Sequence, residues 1–244
     1  MKKSEFAPIV IFAFKRPEKL KKLLLCLEEN EEFKQSKIFF YVDKYLNDSD
    51  KKRNEEVLDV INDFSNNSNF KVHYNKESLG LKNNILQGIN DSLSKYEKAI
   101  FLEDDLIVGK NFLNYMNTSL NVYANNKEVK HISGYNYPTF FGSNKANYFT
   151  PHMNCWGWAT WSDRWFENSN FTKNLISQLP KKNRLRFTVY GLEKDFESQL
   201  IRNEAQEIET WAIFWSQHIF LSKGLCANPK KTLVQNTGDD SDGV

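Results

Sequence analysis

Ala99-Ile-Phe-Leu-Glu-Asp-Asp105 passes from a short apolar run straight into three carboxylates, with no turn residue between them. A β-branched and aromatic run of this kind is the signature of a strand covered on both faces. Upstream, Pro8-Ile-Val-Ile-Phe-Ala-Phe14, Lys37-Ile-Phe-Phe-Tyr-Val42 and Phe70-Lys-Val-His-Tyr74 have the same strand character. Between them lie apolar residues at helical spacing: Leu20, Leu23, Leu24 and Leu27, then Val57, Leu58 and Ile61, then Ile85, Leu86, Ile89 and Leu93. Pro17 suits the first turn of the first of these helices. Strand and helix thus alternate up to Asp105, which implies a mainly parallel sheet with helices on both faces. Ligands of such sheets bind at the carboxyl ends of the strands. Asp43 and Glu103-Asp104-Asp105 each follow a strand directly, so both fall on the binding edge.

The bulk composition sets limits on function. The 244 residues carry 33 Lys and Arg against 31 Asp and Glu, a net charge of +2. A dedicated nucleic-acid binder would show a clear basic excess, so no nucleic-acid partner is expected. Cys26, Cys155 and Cys226 match neither a zinc spacing nor an even disulfide framework. A reducing compartment follows, and a cytoplasmic location is expected. The apolar run from Ile9 to Phe14 is too short for a membrane span or a signal-peptide core. Asn66-Asn67-Ser68 and Asn117-Thr118-Ser119 are glycosylation triplets of the kind an Asn-rich chain contains by chance.

The second half is less regular. His131-Ile-Ser-Gly134 reads as a strand and turn, and Asn154-Cys-Trp-Gly-Trp-Ala-Thr-Trp161 is an aromatic cluster leading to Trp165. Helices are expected from about Leu192 to Asn203 and from Trp211 to Leu221, with a flexible polar end from Gly238 to Val244. The basic cluster Lys181-Lys-Asn-Arg-Leu-Arg186 is either a solvated face or a contact with anionic lipid or an acidic acceptor. No His pair has ligand spacing, and His152 stands out only for its nearness to Trp156 and Trp158.

Three consecutive carboxylates at the end of a buried strand are costly unless a cation neutralises them. A hard divalent cation takes one or two protein carboxylates and fills the rest of its shell with substrate phosphate. That arrangement suits the departure of a nucleoside diphosphate, whose developing charge a metal stabilises. The competing reading is a solvated turn in which an Asp caps the next helix.

The stretch Ile100-Phe-Leu-Glu-Asp-Asp-Leu-Ile-Val-Gly-Lys-Asn-Phe112 resembles the Glu-Asp-Asp segment of GT-A glycosyltransferases. The likeness is to the N-acetylglucosaminyltransferase I type and to related bacterial family 2-like enzymes. Phe12-Ala-Phe-Lys-Arg-Pro17, Tyr41-Val-Asp43, Leu79-Gly-Leu-Lys-Asn-Asn84, Cys155-Trp-Gly-Trp-Ala-Thr-Trp161 and Val234-Gln-Asn-Thr-Gly238 resemble other segments of that family in the same order. Together they cover nearly the whole chain. The resemblance implies a GT-A (Rossmann-like) α/β fold: one domain over 1–244, its mixed, mainly parallel sheet flanked by helices. Residues 1–105 would form the nucleotide-binding half and 106–244 the acceptor-binding half. It implies Asp105 as ligand to Mn²⁺ or Mg²⁺, and Glu103 and Asp104 as contacts to ribose and donor sugar. Arg16, Asp43 and Lys82 would hold the nucleotide and its phosphates, and Trp158 would line the sugar site.

An inverting transferase also needs a carboxylate to take the acceptor proton. In the family that acid follows a late tryptophan, whereas here Ala212 follows Trp211, and Glu209 is the nearest substitute. The expected partners are a nucleotide-sugar donor, a UDP-sugar first among them, and a saccharide or lipid-linked acceptor. The expected setting is bacterial surface polysaccharide synthesis, with peripheral contact at the inner face of the membrane. Two other readings stand beside it. A sugar-phosphate nucleotidyltransferase shares the alternating first half, but Phe14-Lys-Arg-Pro17 lacks the glycines of its phosphate loop. A carbohydrate-binding module working through the tryptophans would need neither metal nor nucleotide.

Overall fold

The computed structural model describes residues 6–65, 69–136, 147–168, 179–188 and 194–238. The first half follows the expected alternation: β1 (Ile9–Ala13), α1 (Pro17–Glu28), β2 (Ile38–Val42), α2 (Asp48–Phe64), β3 (Phe70–Tyr74), α3 (Gly80–Leu93) and β4 (Lys98–Glu103). Pro17 occupies the first turn of α1, and the Asn47 side chain caps α2 by accepting from the Asp50 amide. The second half contains β5 (Leu106–Val108), α4 (Phe112–Val122), β6 (Val129–Ser133), β7 (Tyr148–Thr150), β8 (Trp158–Trp161) and α5 (Ser162–Trp165). After these come α6 (Lys181–Phe187), α7 (Lys194–Glu204), α8 (Ala212–Leu221), β9 (Leu225–Asn228) and β10 (Val234–Asn236).

Eight strands form one mixed sheet in the order β3-β2-β1-β4-β8-β6-β9-β7. From β3 to β4 every neighbour is parallel, whereas β8 runs antiparallel to both β4 and β6. Strands from both halves of the chain therefore share one sheet. The chain order reverses between β1 and β4, the switch point at which open α/β sheets leave a crevice.

Alternation along the strands sends side chains to two cores. Ile9, Ile11, Ile38, Phe40, Ile100 and Leu102 meet Leu20, Leu23, Val57 and Ile61 from α1 and α2. Val10, Phe12, Tyr41 and Phe101 meet Ile85 and Ile89 of α3 and Phe214 of α8 on the other face. The helix α3 lies so close that a Cβ on Gly88 would stand 2.5 Å from the Phe12 ring and 2.9 Å from Tyr41. Glycine in mid-helix normally weakens it, and here it is what the approach demands.

Two elements depart from the expectation, and the last helix follows it. The aromatic cluster contains a strand, β8, inserted in mid-sheet between β4 and β6. The segment after the acidic triplet forms β5, paired antiparallel with β10 in a separate two-stranded sheet. The last helix is buried nearly all round, from Ile213 to Ile219, as its apolar sequence requires. The triplet Asn66-Asn67-Ser68, Leu192 at the expected start of α7, and the polar end beyond Gly238 lie outside the described residues. No helix among the described residues is long and apolar enough to cross a membrane.

Candidate active site

At the β1–β4 switch point lies a cleft of about 470 Å³, lined by Phe14, Lys15, Arg16, Asp43, Leu81 and the whole of Glu103-Asp104-Asp105, among others. Its floor is the end of β4, and its walls come from the turn after β1, the turn after β2 and the start of α3. The Arg16 Nη1 donates to Asp105 Oδ2 at 2.7 Å and lies 3.6 Å from Asp104 Oδ1. The Phe14 amide donates to Asp104 Oδ2 at 3.2 Å. Arg16 is placed there because it is the residue before Pro17, at the mouth of α1.

One guanidinium, in contact with two of the three clustered carboxylates, leaves the group short of positive charge. Burial first, then the charges of Asp105 and Asp104, push the Glu103 carboxyl up to about 8. Burial and the Asp105 charge likewise push Asp104 up to about 7, against the opposing pull of Arg16. Asp105 is 7% exposed, and its Oδ1 is buried with no hydrogen-bond partner. A buried carboxylate oxygen left unpaired costs free energy, and a cation is the partner that removes the cost. No group of three or more His, Cys, Asp or Glu among the described residues could hold a metal ion by itself. The residues therefore fit a hard cation that keeps a single protein carboxylate and completes its shell with ligand oxygens.

Asp43 does a second job. Its Oδ1 accepts from the Leu79 amide at 2.9 Å and from Asn75 Nδ2 at 3.0 Å, and its Oδ2 accepts from the Gly80 amide at 2.9 Å. Leu79, at the cap position of α3, offers no side-chain cap of its own. Asp43 supplies it from the end of β2, where the positive end of the helix favours an anion. Any base contact by Asp43 would share oxygens that already fix the α3 entrance.

Buried asparagines complete the frame. Asn54 donates to the Phe14 carbonyl at 2.6 Å and the Asp43 carbonyl at 2.8 Å, and accepts from the Tyr74 hydroxyl at 2.9 Å. One amide of α2 thus ties the ends of three strands. Asn84 donates to the Tyr41 carbonyl and accepts from Asn75. A signal for Asn54 existed: it falls on the apolar stripe of α2, one turn before Val57, where a polar residue needs a reason.

Of the eight nominated residues, Arg16, Asp43, Glu103, Asp104 and Asp105 line the cleft. The other three lie elsewhere. Lys82 turns its ammonium over the Phe214 ring, 5.3 Å from its centre, and is not part of the cleft lining. Trp158 is 2% exposed, so it cannot serve as a sugar platform. It packs 4.6 Å from Phe101, 5.1 Å from His131 and 5.3 Å from Trp211, between centroids. Its place in mid-sheet beneath α8 is the reason. Glu209 is exposed, in the loop before α8 and outside the cleft lining.

His131 and His152 are both packed into the core. His131 is fully buried, hydrogen-bonded to the Asn154 carbonyl and to Trp215 Nε1, and burial lowers it to about 3. His152 packs among Phe187, Phe196 and Phe220, and burial lowers it to about 4.

This architecture, a mixed sheet with acidic residues at the end of the strand beside the switch point, is the GT-A fold. Two solved structures share it. One is that of GalNAc-T7 with UDP, GalNAc and Mn²⁺, at TM-score 0.58 and 13% identity over 95% of this chain and 44% of that one. The other is S. aureus TarS 1–349, at TM-score 0.53 and 10% identity over 95% of this chain and 60% of that one. At such identities the likeness is one of fold, and this chain spans well under two thirds of either. No protein-family model matches the sequence, and no curated protein matches it.

Proposed function

We propose that the protein is a glycosyltransferase that moves a sugar from a nucleoside-diphosphate sugar, a UDP-sugar, to a saccharide or lipid-linked saccharide acceptor, with Mn²⁺ or Mg²⁺ at Asp105. The observation that carries this is the cleft at the switch point, which gathers three carboxylates, two of them against one arginine, and in which a buried Asp105 oxygen has no partner. A tryptophan-based sugar module gains no support, since Trp158 is buried, and Phe14-Lys-Arg-Pro17 lacks the glycine loop of a nucleotidyltransferase. The ligands named for the GalNAc-T7 structure, UDP, GalNAc and Mn²⁺, are of the chemistry that such a cleft would take. A divalent ion bound there would offset the negative charge of the departing diphosphate. The chain's own residues orient the parts: Arg16 holds Asp105, the Phe14 amide holds Asp104, and Asp43 fixes the entrance of α3. The partly exposed Glu103 offers an acceptor to hydroxyls of the donor.

For the acceptor half, the proposal keeps inversion, with Glu209 as the proton acceptor. Its support is position alone: Glu209 lies two residues before Trp211, whose ring stacks on Trp158. A Glu209→Gln variant is then expected to bind donor normally and lose transfer, and a variant that transfers at the wild-type rate removes Glu209 from the mechanism. The setting proposed is bacterial surface polysaccharide synthesis at the cytoplasmic face of the membrane.

Calorimetry with UDP, GDP and CMP, each with and without Mn²⁺, tests the whole reading. UDP is expected to bind and to gain affinity when the metal is present. If no nucleotide shows metal-linked binding, the transferase reading fails.

A further inference from the structure

In the β5–β10 ribbon, β10 reaches the end of the acidic triplet from more than a hundred residues further along the chain. Its register ends at Asn236 opposite Leu106, yet the contacts continue one residue further on each side. The Thr237 amide donates to the Asp105 carbonyl at 2.9 Å, and the Thr237 hydroxyl donates to the same oxygen at 2.7 Å. The Thr237 carbonyl in turn accepts from Lys19 Nζ at 2.7 Å. Lys19 sits one turn along α1 from Arg16, so a single helix end grips Asp105 twice. It holds the carboxylate directly through Arg16 and the backbone indirectly through Thr237. Gly238 then lies directly against the carboxylate, since a Cβ there would collide with Asp105 Oδ2. A side chain at that position would push the carboxylate off Arg16.

From this geometry we infer that Lys19, Thr237 and Gly238 are positioning residues for Asp105, setting where its unpartnered Oδ1 points within the cleft. The inference rests on the sugar-nucleotide reading of that cleft. A ribbon serving only to complete a sheet would need neither a doubled bond to one carbonyl nor a residue without a side chain beside the carboxylate. Lys19 and Thr237 stand outside the cleft lining and act through Asp105, and Gly238 borders the cleft beside the carboxylate. Their effect falls on the metal-linked part of binding, and binding of the nucleotide alone is left intact.

The test uses the full chain with Gly238→Ala, Thr237→Val and Thr237→Ser. UDP affinity is measured with and without Mn²⁺, and the thermal shift caused by Mn²⁺ alone is recorded. Gly238→Ala is expected to reduce the Mn²⁺-linked gain in UDP affinity by about 10- to 100-fold, the range for disturbing the support of a metal ligand. Thr237→Val reduces it less and Thr237→Ser restores it, while UDP affinity without metal is unchanged. The Mn²⁺-induced thermal shift shrinks in the same order. An unchanged metal-linked gain in both Gly238→Ala and Thr237→Val overturns the inference, and so does an equal loss with and without Mn²⁺, which marks a general folding defect. If the wild-type chain itself shows no metal-linked nucleotide binding, the sugar-nucleotide reading fails and the role of the strap falls with it.

Discussion

Asp105→Asn is expected to lower the affinity for UDP in the presence of Mn²⁺ by about 100-fold or more, at or beyond the upper end of what disturbing a metal site costs. Affinity for UDP alone should change little. The amide keeps the volume of the carboxylate, and its oxygen can still accept from Arg16, so the local packing survives. What disappears is the negative charge on a buried group whose Oδ1 has no protein partner. Thermal unfolding provides the control. Asp105 is among the charges that raise both Glu103 and Asp104, so removing it relieves repulsion in the metal-free protein. The variant should therefore melt no lower than the wild type at pH 8. A variant that keeps its full metal-linked gain would show that Asp105 is not the ligand.

Physical locality explains which parts of this site could be read in the sequence. Arg16 is legible only through the family resemblance, whereas Asp43 and the triplet can be found because each stands at the end of a strand, and strand ends in a parallel sheet share one edge. Nothing more than chain order is needed to bring them together. Trp158, Lys82 and Glu209 depend on what covers them. A tryptophan looks the same in sequence whether its strand is central or exposed, and β8 inserts in mid-sheet only because the chain returns to β4 after β5, α4, β6 and β7. Lys82 lies on the first turn of a helix that borders the cleft, yet its side chain finds Phe214, a residue of α8 far along the chain. The bond from Thr237 to Asp105 spans 132 positions and flanks two strands of three residues each, too short for periodicity to mark them. Asn75 and Asn84 are among many asparagines, and only the fold shows which of them are buried.

Metal-free protein is expected to lose stability as pH rises from about 6.5 to 8, and saturating Mn²⁺ should cancel much of the loss. In the unfolded chain Glu103 and Asp104 would titrate at their ordinary values of 4.5 and 3.8. In the folded chain they hold protons up to about 8 and about 7. Between those limits the native state binds more protons than the unfolded state, so stability falls with rising pH. Below about 6.5 the buried histidines act in the opposite sense. His131 and His152 are held well below 6.5, the unfolded chain takes up their protons first, and stability rises with pH there. Above 6.5 the carboxylates dominate while the opposing histidine effect fades. Across the window the two carboxyls together cost about 2 kcal/mol, the histidines offset part of it, and for a chain of this size the melting temperature falls by roughly 3 °C. A divalent cation binds the ionised carboxylates and displaces their protons, so its stabilising effect should grow over the same window. Differential scanning calorimetry at pH 6.5, 7.2 and 8.0, with EDTA and with Mn²⁺, reads both trends. A metal-free melting temperature that rises across the window, or a Mn²⁺ effect that stays constant, would mean that the triplet is not the strained acidic centre described above.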